Sequence, residues 1–127
     1  MKLFGIGIDI VETSRIEESF AKFGDAFRDR VFTSTEIEYC ESIQNPLPHY
    51  AARFAAKEAV SKALGTGIAA GVSWQDIELQ RNEQGAPSVT LSGEAKAVAD
   101  KAGVTELQVS LSHSDQYSAA NAVLMCE

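Results

Sequence analysis

Apolar residues alternate with small or acidic ones at the start of the chain. Phe4, Ile6, Ile8 and Ile10 take one side and Gly5, Gly7 and Asp9 the other, the two-residue repeat of a β-strand. A buried strand is expected from Leu3 to Val11. Its glycines suit either a strand that crosses another element closely or a bare face from which Asp9 can reach a metal or ligand. The second is the working expectation.

The period then lengthens to that of a helix. Ser14 and Glu17 have the form of a capping box, with Ile16, Phe20 and Phe23 at helical spacing behind them and a stop at Gly24. Thr35 and Glu38 suggest a second box, opening a short helix whose Ile37, Cys40 and Ile43 face inward. Beyond Pro46 and Pro48 comes the longest helical run, Tyr50 to Leu64, closed by Gly65-Thr66-Gly67. Ala52, Ala55, Ala56, Ala59 and Ala63 share one side of it, while Phe54, Lys57, Glu58, Ser61 and Lys62 share another arc.

Strands are expected at Trp74 to Gln80 and Ser88 to Leu91, joined as a hairpin through Asn82-Glu83-Gln84-Gly85-Ala86-Pro87. Ser92 to Ala102 reads as an amphipathic helix stopped by Gly103. Leu107, Val109, Leu111 and His113 alternate along a strand that turns at Ser114-Asp115-Gln116-Tyr117 into an apolar strand, Ala119 to Met125. One strand, three helices with the third longest, a hairpin, a helix and a closing hairpin predict an α+β fold with a mainly antiparallel sheet.

At 127 residues the chain is expected to form one domain over 1–127, short enough that a large substrate would be shared between subunits. A formal net charge of −7 argues against a general nucleic-acid binder, which needs a basic stripe. Cys40 and Cys126 are too few and too far apart for a zinc site or a disulfide framework. Asp9 and Glu12 interrupt the N-terminal apolar run, and no stretch approaches the roughly 20 apolar residues of a membrane span. A cytoplasmic protein without a membrane segment is expected.

Candidate chemistry gathers on the long helix. Glu58 and Lys62, at i,i+4, could be no more than a surface ion pair of about 0.2–0.5 kcal/mol. That leaves Arg53 and Lys57, like charges at the same spacing. Three cations about one acid suggest a polyanionic ligand. Gly5-Ile-Gly7 lacks the third glycine of a dinucleotide fingerprint, and no phosphate loop is present. His113 at a strand end and His49 beside Pro48 are weak signals by themselves.

Taken together, Gly5-Ile-Gly7-Ile-Asp9-Ile-Val11-Glu12 and Arg53-Phe54-Ala-Ala-Lys57-Glu58-Ala-Val-Ser-Lys62-Ala resemble the two signatures of the 4′-phosphopantetheinyl transferases. Gly65-Thr-Gly67-Ile, the late Ser110-Leu-Ser112-His113-Ser114 and the compact length resemble the branch that acts on acyl carrier proteins. The resemblance implies transfer of the phosphopantetheine arm of coenzyme A to a serine of an acyl carrier protein, leaving adenosine 3′,5′-bisphosphate.

It further implies that Asp9 and Glu58 hold Mg²⁺, that Lys57, Lys62 and Gly65 border the phosphates, and that Arg53 and His113 meet the 3′-phosphate. Glu58 and Glu12 are the alternatives for activating the serine hydroxyl. A homotrimer with sites between neighbours is implied as well. Proteins of this type are often basic, whereas this chain is acidic, so carrier docking would fall to a local patch of Arg15, Lys22, Arg28 and Arg30. The competing expectation is a non-catalytic phosphate- or nucleotide-binding module.

Overall fold

Alanine makes the long helix narrow enough to be packed on every side. The computed structural model describes residues 1–81 and 84–127. Along the chain it has β1 (Lys2–Glu12), α1 (Thr13–Phe23), α2 (Asp25–Val31), α3 (Ser34–Glu41) and α4 (Leu47–Leu64). After a 3-10 turn at Trp74–Asp76 come β2 (Ile77–Arg81), β3 (Pro87–Leu91), α5 (Gly93–Lys101), β4 (Val104–His113) and β5 (Tyr117–Cys126). The expected α+β class is observed. Antiparallel strands lie in the order β1-β5-β4, and β2 pairs with β3 as a second antiparallel unit. Asn82 and Glu83, in the connection between β2 and β3, lie outside the described residues.

Several boundaries differ from expectation for identifiable reasons. The first helix begins at Thr13 after Glu12, with no side-chain cap, so Ser14 lies inside the helix. A short helix, α2, follows the stop at Gly24 immediately and was not anticipated. The box that opens α3 is Thr33 with Glu36, two residues before the expected one. Here Glu36 Oε1 accepts from Thr33 N at 2.8 Å while its Oε2 accepts from Leu79 N at 2.8 Å. The central helix starts at Leu47 and carries Pro48 within its first turn, where a missing N–H costs nothing. Trp74 belongs to the 3-10 turn, not to the strand.

The glycines of β1 serve the close crossing. A Cβ on Gly5 would overlap the carbonyl oxygen of Ala63, and one on Gly7 that of Ala59. Helix backbone therefore fills the space beside them, and the expectation of a bare face around Asp9 is corrected. Their consequence for Asp9 is indirect: they let β1 settle onto the turn of α4 that carries Glu58 and Lys62. Gly7→Ala should destabilise the fold by more than the roughly 1–3 kcal/mol usual for overpacking, because backbone cannot yield as a side chain does. Urea denaturation would show it, and a midpoint within error of the parent would contradict the close-crossing account.

The expectation of burial fails on the opposite side of β1. Ile6, Ile8 and Ile10 are 67%, 70% and 68% exposed. Ile6 lies beside Val123, Ile8 beside Asn121 and Ile10 beside Ala119 on β5, so the outer face is apolar along β1 and turns polar toward β4, where Gln108, Ser110 and Ser112 come next. Beneath the helices, the rings of Phe20, Phe32 and Tyr50 pack together at centroid distances of 4.8–6.5 Å and hold α1 and the end of α2 against α4. Among the described residues no helix is long and apolar enough to cross a membrane.

Candidate active site

Where β1 crosses α4, Asp9 meets the helix. Lys62 donates from Nζ to Asp9 Oδ1 at 3.0 Å and to the Ile8 carbonyl oxygen at 3.1 Å. The lysine thus ties strand to helix, and the surface pair with Glu58 considered from the sequence is replaced by this longer-range one. Glu58 is half-buried, and its carboxyl pKa is raised, first by burial and then by the negative charge of Asp9, with Lys62 opposing. Two carboxylates that feel each other in a partly dry site are stabilised by a shared cation.

Their chemistry fits magnesium, a hard ion that takes one or two protein carboxylates and completes its shell with phosphate oxygens and water. Among the described residues no cluster of three or more acidic, histidine or cysteine side chains is arranged to hold a metal.

Asp9 and Glu58 open into a cleft of about 530 Å³ whose walls include Arg15, Arg30, Phe54 and Trp74. Phe54 and Trp74 stack at 4.8 Å between centroids, giving the cleft a rigid apolar wall beside its acidic end. Glu12 lies elsewhere. Three residues from Asp9, it falls on the other face of the strand, and it lines a different cleft of about 470 Å³ with Thr13, Ser14, Asp115 and Tyr117. Within one chain it is not placed to act at the Asp9–Glu58 site.

The cations of α4 do not gather about Glu58 but disperse in three directions. Lys57 is fully buried, and its ammonium donates to Glu36 Oε1 at 2.7 Å, to Trp74 O at 3.0 Å and to Ile77 O at 2.6 Å. With all three donors occupied it has none left for a phosphate, so the expectation that it borders the ligand is corrected to a structural role. Arg53, 2% exposed, points to the other end of the helix, with its guanidinium 4.3 Å from the centre of the Tyr39 ring. Lys62 alone reaches Asp9.

Gly65 ends the helix in the left-handed region, φ 86°, and donates to Lys62 O at 3.0 Å, which fixes the chain immediately after the lysine. His113 ends β4 with its ring 5.4 Å from that of His49, at the Arg53 end of α4. Cys40 is wholly buried, and burial pushes its thiol up to about 12, so it is inert core.

The expected basic patch is redistributed. Arg15 is exposed and faces the cleft together with Arg30, and Lys22 is exposed above the Phe23 ring. Arg28 is engaged by Asp25 at 3.4 Å and Asp29 at 3.0 Å, so much of its charge is neutralised locally. Sequence reasoning missed Glu36 and the Phe54–Trp74 wall. The first could have been found, since Thr33 and Glu36 also carry capping-box spacing.

A profile of the 4′-phosphopantetheinyl transferase superfamily matches residues 5–122. The holo-acyl-carrier-protein synthase of Koribacter versatilis is 46% identical over 122 residues, which are 96% of this chain and 98% of that protein. That of a Thermoanaerobacter strain is 48% identical, with 97% of this chain and 87% of the relative covered. Among solved structures, the synthase of Neisseria meningitidis superposes with a TM-score of 0.90 at 33% identity, over 97% of this chain and 98% of the other. The Helicobacter pylori synthase in complex with coenzyme A gives 0.83 at 36% identity, over 94% and 99%. Matched in sequence and in fold along nearly its whole length, the chain belongs to the 4′-phosphopantetheinyl transferase superfamily, among the holo-acyl-carrier-protein synthases.

Proposed function

We propose that this protein transfers the 4′-phosphopantetheine group of coenzyme A to a serine of apo acyl carrier protein, releasing adenosine 3′,5′-bisphosphate, with Asp9 and Glu58 holding Mg²⁺. The observation that carries the reading is the meeting of these two carboxylates at the β1–α4 crossing, at the end of a cleft large enough for a flexible arm. A phosphate-binding module without catalysis, the competing expectation, has no need of them. When bound, the ion would neutralise charge on the pyrophosphate and leaving oxygens.

The chain's own groups supply the rest. Lys62, about half exposed beside Asp9, keeps a donor free for a phosphate oxygen, with the Gly65 turn next to it. The serine oxygen attacks the phosphorus of the phosphopantetheine, the bond to the nucleotide's bridging oxygen breaks, and the serine proton passes to a base. Of the two alternatives for that base, Glu58 is the one that lines the cleft with Asp9, and it would receive the proton directly or through a water. At the other end of the substrate, Arg53 and His113 meet the 3′-phosphate. Titrating coenzyme A calorimetrically tests the ion's place: Mg²⁺ should tighten binding in the parent but not in Glu58→Gln, and equal tightening in both would contradict it.

Carrier docking follows from local charge. Arg15 and Arg30 flank the cleft that ends at Asp9 and Glu58, and within a Debye length of about 8 Å their field can outweigh the net charge. Lys22 adds to the same surface, and Arg28 contributes less because of its two aspartates. Arg15→Glu should raise KM for the carrier at least tenfold, equivalent to about 1.4 kcal/mol, and leave coenzyme A affinity within twofold. Unchanged carrier kinetics across a salt series would place docking elsewhere.

The exposed isoleucine face of β1 is assigned to contacts between copies in a homotrimer. An apolar sheet face of this kind is rarely left in water by a monomer. Ile8→Glu should give a monomer by light scattering, and a trimer that persists would contradict the assignment. A cytoplasmic location goes with this reading and with the unpaired Cys40 and Cys126.

A further inference from the structure

The first turn of α4 brings an uncommon set of groups together. The ring of His49 lies edge-on to His113 of β4, at 5.4 Å, and to Tyr39 of α3, at 6.1 Å. Arg53, one turn along α4, covers the Tyr39 ring at 4.3 Å and donates from Nη1 to the His49 carbonyl oxygen at 3.3 Å. Arg81 of β2 approaches the same ring at 5.8 Å. Four elements thus bring His49 and two guanidiniums against one tyrosine, with His113 against the His49 ring, at the positive end of an 18-residue helix.

Among the described residues neither guanidinium forms an ion pair, and Glu41, the acid at this end of α3, is taken by the Tyr50 hydroxyl at 2.6 Å. Arg53 is 2% exposed, yet its Nε has no hydrogen-bond partner among the described residues. A buried donor without a partner is costly, and one set among like charges calls for an anion.

Resting on the assignment of the 3′-phosphate to Arg53 and His113, we infer that His49 is a third arm of that seat and takes up a proton when the phosphate binds. Among the described residues, the charged and titratable groups facing His49 are Tyr39 on α3, Arg53 on α4, Arg81 on β2 and His113 on β4. In the free protein, burial lowers its pKa first, and His113, Arg53 and Arg81 push it the same way. The imidazolium is therefore disfavoured in the free protein. A phosphate dianion reverses the sign of the local field and favours the imidazolium.

The linkage follows directly. The bound state holds more protons than the free state, so binding must strengthen as pH falls toward the ordinary range of histidine. Coenzyme A that lacks its 3′-phosphate should show no such dependence. His49 thereby makes discrimination between the two forms steeper under mildly acidic conditions, without touching the reacting phosphorus.

The test is calorimetric titration of the full chain with coenzyme A and with its 3′-dephospho form. Two buffers of different ionisation heat count the protons exchanged. The parent should take up more protons with coenzyme A than His49→Gln or His49→Phe, the second of which keeps an aromatic ring beside Tyr39 and His113. Its affinity should rise roughly three- to tenfold from about pH 8 to about pH 6, relative to either variant. The phosphate's own titration, near pH 6, is common to all three proteins and cancels in the comparison. Equal proton uptake in parent and variants, with coenzyme A still preferred over the dephospho form, overturns the inference and leaves the phosphate seat standing. Equal affinity for the two ligands in the parent overturns the seat itself, and the inference with it.

Discussion

Asp9→Asn and Glu58→Gln should each lower the rate of carrier modification by about a thousandfold or more, equivalent to some 4 kcal/mol of lost transition-state stabilisation. Both substitutions keep side-chain size and remove one negative charge from the β1–α4 crossing. Asp9→Asn also weakens the ion pair with Lys62, but that lysine is about half exposed, and such pairs contribute roughly 0–1 kcal/mol to stability. Glu58 carries charge against burial and against Asp9, so its neutralisation should leave the melting temperature unchanged or slightly raised. The contrast between a large kinetic loss and a small thermal effect distinguishes an active site from a structural pair. Rates within tenfold of the parent at ordinary Mg²⁺, for either variant, would remove these residues from the chemistry.

Glu36→Gln should show the reverse pattern, a large loss of stability. The carboxylate is 1% exposed and answers three donors at once: Thr33 N, Leu79 N and the ammonium of Lys57. Burial works against the charge on Lys57 and Glu36 works for it. Removing one member leaves the other charged in a dry interior, which typically costs about 3–5 kcal/mol, a large part of the roughly 5–15 kcal/mol that holds a small domain together. A fall of about 10–20 °C in melting temperature follows for a chain of this size.

Lys57→Met should be similarly damaging, and the double replacement Glu36→Met with Lys57→Met should recover part of the loss, because no unpaired charge then remains. Activity per folded molecule should change little in Lys57→Met. A variant that melts like the parent but binds coenzyme A poorly would return Lys57 to the phosphate site.

These two predictions mark where the sequence was legible. The two signatures single out Asp9, Glu58 and Lys62, and the structure brings the three together at the β1–α4 crossing. Lys57 and Glu58 are neighbours whose directions differ by about 100° on a helix. Which of them enters the core depends on what waits there, namely Glu36 and two carbonyl oxygens from residues 74 and 77.

A similar ambiguity governed α3. Thr33-Glu36 and Thr35-Glu38 offer the same capping chemistry two residues apart, and the first prevails in a fold where its glutamate also meets Lys57 and Leu79. In β1 the alternation was plain, but not which face is inward. Isoleucine would ordinarily win that contest. Here an alanine helix needs close approach, only glycine allows it, and the isoleucines turn outward. Within one chain, strand periodicity alone sets Glu12 opposite Asp9. The seven-residue α2, starting directly after a helix stop, carries too short a pattern to announce itself.

The central claim concerns a covalent transfer, and the mass of the carrier reads it directly. Purified protein is incubated with coenzyme A, Mg²⁺ and an apo acyl carrier protein, and the carrier is then weighed. The mass of one phosphopantetheine group should be gained in the complete mixture, and no gain should occur when a chelator removes the divalent ion or when the carrier's acceptor serine is replaced by alanine. A carrier that stays at its apo mass with every divalent ion supplied, although coenzyme A binds, would contradict the account and leave a nucleotide-binding module in its place.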